Sequence, residues 1–391
     1  MRHVGVTSRG IRLPVLCQGA DLVQIIAEEL EKAARSERDP FLFRDRDVIG
    51  VTESLLARTQ GNYVTLDEIG EDVERLVPEG DVVLLFPILS RNRFGHILRG
   101  IIRGVRGTIH LLLSYPGDEV GNLLMNQADF YRNQPRLSGD CFSEEEYDRV
   151  FGRLPHLFTG VDYVQFYKDM APGKIVIHFA NNPLAALSFS KTVIVASIHA
   201  RFFQRELLEQ AGATVFTLDQ FCREPAVGRG YNEEYGLLGS NYSTEDRVKL
   251  FPRESGAFAD ALKEELRRRV GKEIEVLVYG DGAFKDPVGG IWELADPVVS
   301  PGFTSGLAGL PKEIKLKYIA DSCGGRNAEE AVREAIRHKG DMTSSSDAAL
   351  GTTPRRLSDL LGSLCDLTSG SGDKGTPVVY VSGYFDSYLD D

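Results

Sequence analysis

Apolar and polar positions along the chain follow two periods in turn. Leu22, Ile25, Ile26 and Leu30 share one helical face behind Asp21, a capping residue, and predict a helix to about Ala34. Apolar runs of strand length follow at residues 47–52, 62–65, 81–86 and 108–113. Between about 119 and 255 the chain becomes richer in aromatic and amide residues. Strands are expected there at 174–179, 192–197 and 214–217, with a helix at 201–210 ended by Gly212, together a small α/β unit. From 256 onward the pattern predicts a helix at 257–270, a strand at 274–279, helices at 327–339 and 356–367, and a buried strand at 378–381. No internal repeat interrupts this order.

Charge narrows the function. The 45 basic and 57 acidic residues sum to −12, which argues against a duplex nucleic-acid binder, since that needs a dense cationic face. A local basic run remains at 91–106. No apolar run of about 18 residues spans a bilayer and the N-terminus has no signal-like apolar core. The five cysteines are scattered without a Cys-x-x-Cys pair, the usage of a reducing cytoplasm. A cytoplasmic protein without membrane or nucleic-acid partners is the expectation.

Two loops draw attention as chemistry. In the tail, Ser369, Gly370, Ser371, Gly372, Asp373, Lys374 and Gly375 run from a helix into a buried strand. Glycines let peptide N–H groups converge on an anion and the hydroxyls add donors, although the same residues also make a plain Gly/Ser turn. After the strand ending at Tyr279, Asp281, Lys285 and Asp286 crowd one Gly-rich loop. A carboxylate there suits Mg²⁺ or Mn²⁺, and Lys285 suits a phosphate, at the strand end where α/β proteins gather ligands. The alternative is a solvated turn with a local ion pair. Asp321 or Ser322 is placed to cap the helix expected at 327, and Cys323 lacks a paired histidine. The seven histidines show no zinc spacing; His178 reads as a packed strand residue and His96 as a surface or ligand-contacting one. The chain has neither a Gly-x-x-x-x-Gly-Lys-Ser/Thr loop nor a Gly-x-Gly-x-x-Gly turn, so the common nucleotide folds are not expected.

Five ordered blocks resemble the γ-glutamyl ligases of the deazaflavin coenzyme F-420. They are Gly19-Ala20-Asp21-Leu22, the strand 45–52 continuing to Ala57-Arg58-Thr59-Gln60-Gly61, and the run from Phe86 through Phe94-Gly95 to Leu113. The last two are Gly271-Lys272 through Asp281, and the tail with Asp359, Gly370, Gly372, Gly375 and Pro377. The chain departs from the family where Arg58 and Gln60 replace Lys and Glu, where 100–106 holds no acidic residue, and where Lys285-Asp286-Pro287 replaces an Arg-rich continuation.

The resemblance implies an amide ligase that adds L-glutamate to a small acidic acceptor of the deazaflavin type, using GTP or ATP with Mg²⁺ or Mn²⁺, in a homodimer. It implies Asp281 and Asp359 at the metal, Lys285 with Asp286 as catalytic groups, and residues 369–375 as a nucleotide cradle. The expected fold is α+β, a mixed or antiparallel ligase-like core of residues 1–118 and 256–391 interrupted by an inserted α/β segment at 119–255. The competing reading is a non-catalytic nucleotide- or anion-binding module on the same scaffold.

Overall fold

The structure, a computed structural model, describes residues 3–153, 155–156, 160–280, 300–325, 327–342, 346–349, 356–369 and 372–389. These form two compact units. One takes the chain up to Thr59, the segment from Glu254 to residue 280, and the described residues from 300 on; the other is residues 60–253. The α+β class matches the expectation. The second unit begins at residue 60, whereas the sequence led us to place the insertion at 119. The reason is that strands Val82–Leu85 and Ile109–Leu113 pair in one sheet with Ile175–Ala180 and Thr192–Val195.

In the first unit, five strands lie in the order Thr7–Ile11, Val378–Ser382, Val48–Thr52, Glu275–Tyr279 and Gly302–Phe303. Only the central pair, 48–52 with 275–279, is parallel. Helices cover both faces of this sheet. Ile49, Val51, Val276, Val278, Val378 and Tyr380 pack on Leu22–Ala34 and Ser255–Val270. The alternate residues Val48, Leu277, Tyr279, Val379 and Val381 pack on Leu357–Ser369. That two-sided burial is why these strands read as continuous apolar runs. Gly50 is needed for close approach, because a Cβ there would run into the Cys365 sulfur of the covering helix.

The second unit holds a six-stranded sheet. Its edge strand Cys141–Ser143 is antiparallel to Ile175–Ala180, and Ile109–Leu113, Val82–Leu85, Thr192–Val195 and Thr214–Thr217 follow, all parallel. Numbered along the chain, the five parallel strands lie 3-2-1-4-5. This doubly wound order runs against the expectation from the missing glycine fingerprints, because the fingerprint reports a phosphate-binding turn and not the order of strands. Tyr63–Thr65, Arg247–Lys249 and Asn241–Thr244 make a separate antiparallel sheet.

Two helices with weak sequence signals pack on the large sheet. Leu66–Leu76 starts with a capping box between Thr65 and Glu68. Phe94–Gly104 carries glycines at 95, 100 and 104, which lower helix propensity. It forms because Ile97, Leu98 and Ile101 are buried and because Gly100 lets Ile69 of the neighbouring helix come close. Among the described residues no helix is long and apolar enough to cross a membrane, and all five cysteines are free.

Candidate functional site

Asp281, Lys285, Asp286, Gly370 and Ser371 lie outside the described residues. The remaining predicted residues sit along one edge of the five-stranded sheet. Tyr279 is opposite Thr52 in the parallel pair, and the Thr52 N–H donates to the Pro377 carbonyl at 3.0 Å. With strands about 4.8 Å apart, the end of the tail loop and the chain leaving Tyr279 lie within about 10 Å of each other.

Asp359 joins the same edge. Ser300 Oγ donates to the Ser358 carbonyl at 3.2 Å. Ser300 leads into Gly302, which pairs antiparallel with Val278, so the start of helix Leu357–Ser369 stands beside the Tyr279 end of its strand. Glu53, 1% exposed, follows Thr52 at this edge and was not singled out in the sequence. Its signal would have been an acidic residue directly after an apolar strand.

The tail loop splits into two roles. Ser369 is ten residues from Asp359 along one helix, about 15 Å at 1.5 Å per residue, so the two do not meet at one ion. The Ser369 hydroxyl donates to the Asp366 carbonyl at 2.9 Å, and its own carbonyl accepts from Thr376 Oγ1 at 2.9 Å. These bonds close the helix end. Gly372–Lys374 is a 3₁₀ turn; Asp373, Lys374 and Gly375 are exposed. Gly375 adopts φ +65°, and its carbonyl accepts from the Leu13 N–H at 3.2 Å. A left-handed position here explains the glycine.

Gln60 has a structural reason for replacing the glutamate of the resembled loop. Its amide nitrogen donates to the Arg253 carbonyl at 2.8 Å and its oxygen accepts from the Arg253 N–H at 2.8 Å. Only an amide can do both, and the pair closes the two ends of the 60–253 unit. Arg103, in the stretch without acidic residues, is ion-paired with Asp67 at 2.7 Å and Asp246 at 3.0 Å. Asp321 closes helix Leu316–Asp321 and does not cap the next one; Asn327 caps Ala328–His338, its side chain accepting from Glu329 N.

The doubly wound sheet gathers a second group of loops, at the carboxyl ends of its first, second and fourth parallel strands. Asp118, after the second strand, accepts from Leu89 N at 2.7 Å, Asn122 N at 2.8 Å, Val120 N at 3.1 Å and Asn122 Nδ2 at 2.7 Å. Burial still pushes its carboxyl up to about 6, against the pull of these donors. The neighbouring Glu119 accepts from the N–H groups of Ile198, His199 and Ala200 and so fills the start of helix Arg201–Gln210. Phe86, where the first strand ends, has φ +50°, an uncommon conformation for a bulky residue. His178 is a packed strand residue as expected, its Nε2 3.2 Å from His110 Nδ1; burial and that neighbour lower its pKa to about 4.

Among the described residues no group of three or more His, Cys, Asp or Glu side chains can cage a metal. A Mg²⁺ or Mn²⁺ ion bound mainly through substrate phosphates asks for only one or two carboxylates, and Asp359 at the sheet edge is a carboxylate that could hold one.

The family model for F420-0:Gamma-glutamyl ligase matches residues 10–383. No curated protein matches the chain.

Proposed function

Since the chain belongs to the F420-0:gamma-glutamyl ligase family, whose activity is γ-glutamyl ligation in coenzyme F-420 biosynthesis, we propose a specific form of that reaction. In it the protein joins L-glutamate to the carboxylate of a deazaflavin-type or other small acidic acceptor, with GTP or ATP and Mg²⁺ or Mn²⁺. The observation that supports this reading is the convergence of Tyr279, Pro377 and the Asp359 end of the last long helix on one sheet edge.

A carboxylate is a poor electrophile until its oxygen becomes a good leaving group. In the proposed course the acceptor carboxylate takes the terminal phosphoryl group, the glutamate amine attacks the carbonyl carbon, and phosphate departs as the amide forms. Asp359 and, from its place in the sequence, Asp281 would hold the divalent ion, which supplies neutralisation of charge on the phosphate oxygens. Lys285 would contact phosphate as a point charge, and Asp286 would act with it as a catalytic group. The exposed turn at Asp373 and Lys374, with Gly375, borders this edge and would approach the nucleotide.

The test is full-length protein with GTP or ATP, Mg²⁺ or Mn²⁺, glutamate and a panel of deazaflavin and carboxylate acceptors. Phosphate release tied to a glutamyl mass gain is expected, and no release above background overturns the reading. The competing reading, a binding module without turnover, draws on Arg103, which occupies the stretch where the resembled enzymes carry an acid. Nucleotide binding indifferent to metal would favour it.

A further inference from the structure

We propose that the 60–253 unit carries a binding site of its own, a cleft beside the carboxyl ends of its first two parallel strands, for a small phosphorylated molecule bearing a flat ring. This goes beyond the ligase reading and does not rest on it.

In doubly wound sheets, ligands sit outside the carboxyl ends of the parallel strands. Here the loops after the neighbouring strands Val82–Leu85 and Ile109–Leu113 meet at such an end, Leu89 N donating to Asp118 at 2.7 Å. A cleft of about 580 Å³ opens beside the loop after the first of them, lined by residues that include Ser90, Arg91, Asn92, His96, Arg99 and Asn122. That volume is of the size that holds nucleotide-sized ligands.

Three observations give the cleft its preference. Its lining holds no carboxylate, although the whole chain is acidic. The side chains of Arg91 and Arg99 are exposed and have no ion-pair or hydrogen-bond partner among the described residues. His96 is 7% exposed and lines the cleft; its ring lies against the backbone of Arg91 and Thr244, and its Nε2 has no well-formed hydrogen bond. A buried imidazole nitrogen so poorly partnered is a group that a ligand can engage.

The neighbouring loops sharpen the contrast. Glu119 already occupies the start of the helix after the fourth strand, so an incoming anion is left the Phe94–Gly104 side. The first turn of that helix is tied to its own loop, through Gly95 N to Ser90 O at 2.9 Å and Arg93 N to Ser90 Oγ at 3.0 Å. Charge recognition therefore falls to the side chains of Arg91, Arg99 and His96. Tyr163, Phe166 and Tyr242 complete the wall, and Tyr242 meets the His96 ring edge-on with centroids 4.4 Å apart. Such a wall favours a flat ring over an aliphatic chain.

The experiment is calorimetry on the full-length protein with three probes: flavin mononucleotide, adenosine 5′-monophosphate and inorganic pyrophosphate. They are compared on wild type, on the double variant Arg91→Gln/Arg99→Gln, and on Arg205→Gln as a charge control, since Arg205 pairs with Glu209 on the surface at 2.7 Å. Both cleft arginines are exposed, so the double variant keeps its fold, which its thermal midpoint verifies. At least one ring-bearing phosphate is expected to bind wild type and the control alike and to bind the double variant at least tenfold more weakly. Which of the two binds more tightly separates a flavin-like from an adenine-like ligand. Absence of binding by both ring-bearing probes overturns the proposal, as does binding that the double variant retains in full. Pyrophosphate bound as tightly as both ring-bearing probes overturns the part assigned to the ring.

Discussion

The two sheets gather loops at the carboxyl ends of parallel strands, and the loops bring different charged residues there. In the 60–253 unit, Asp118 and Glu119 turn onto backbone N–H groups, which leaves Arg91 and Arg99 facing the cleft. In the other unit, acidic residues gather at the strand ends: Glu53 follows one parallel strand and Asp359 stands beside the other. Of its basic residues, Lys263 pairs with Glu275 at 2.7 Å and Arg269 with Glu265 at 2.5 Å. A net charge of −12 thus conceals a cleft whose lining holds arginines and no carboxylate. There the local sign is set by which carboxylates are spent on the backbone, not by their number in the chain.

The comparison is broken most strongly at the acidic edge. Asp359→Asn is expected to lower glutamate- and nucleotide-dependent phosphate release on the order of 10²-fold, the scale of losing one group that steadies charge in the transition state. A loss under about threefold would remove Asp359 from the chemistry. Next comes the helix that carries His96. Gly100→Val forces a side chain into Ile69, and overpacking of this kind costs about 1–3 kcal/mol. Urea unfolding measures it, and weaker probe binding in the cleft should accompany it.

Gln60→Glu keeps the acceptor for the Arg253 N–H but sets a carboxylate oxygen against the Arg253 carbonyl. A loss of about 1–2 kcal/mol is expected in chemical denaturation, while a neutral result would mean that the amide is not holding the two chain crossings together.

The Asp118 clamp gives a pH signature. Its folded pKa, about 6, lies above the ordinary 3.8. The folded state therefore holds more protons than the unfolded one between those values, and this group's contribution to stability is full below about 3.8 and lost as pH rises through about 6. The stability difference between wild type and Asp118→Asn should shift against wild type from pH 4 to pH 7. An unchanged difference would show that the carboxyl titrates normally. The smallest effect belongs to Arg103→Gln, which removes two surface pairs and should change stability by less than about 1 kcal/mol.

Much of the fold was legible in the chain. Val48–Thr52, Glu275–Tyr279 and Val378–Ser382 are continuous apolar runs because helices cover both faces of their sheet. Helix Leu22–Ala34 was visible from its face and from Asp21, whose side chain accepts from Gln24 N. The strand Thr7–Ile11 escaped notice: only one of its five residues is buried, so it lacks the apolar signature. Helix Phe94–Gly104 escaped for the opposite reason, since its glycines argue against a helix until Ile69 is seen beside Gly100. At the sites, Asp359 was named only through the resemblance. Asp118 and Glu119 were not named, since Leu89, which donates to Asp118, is 29 residues away and the partners of Glu119 are about 80 residues away.

The sequence by itself determined the central strands of the two large sheets, the helices Leu22–Ala34, Arg201–Gln210, Ser255–Val270, Ala328–His338 and Leu357–Ser369, and the family, because periodicity, caps and block order are properties of neighbours along the chain. Tertiary structure alone decided that residues 60–118 belong with the inserted unit, that its strands lie 3-2-1-4-5, and that Ser369 and Asp359 stand at opposite ends of one helix. It also decided that Asp118 and Glu119 are spent on backbone N–H groups. Strand order, and the pairing of a carboxylate with a backbone N–H dozens of residues away, depend on which segments meet in space, and no local pattern encodes that meeting.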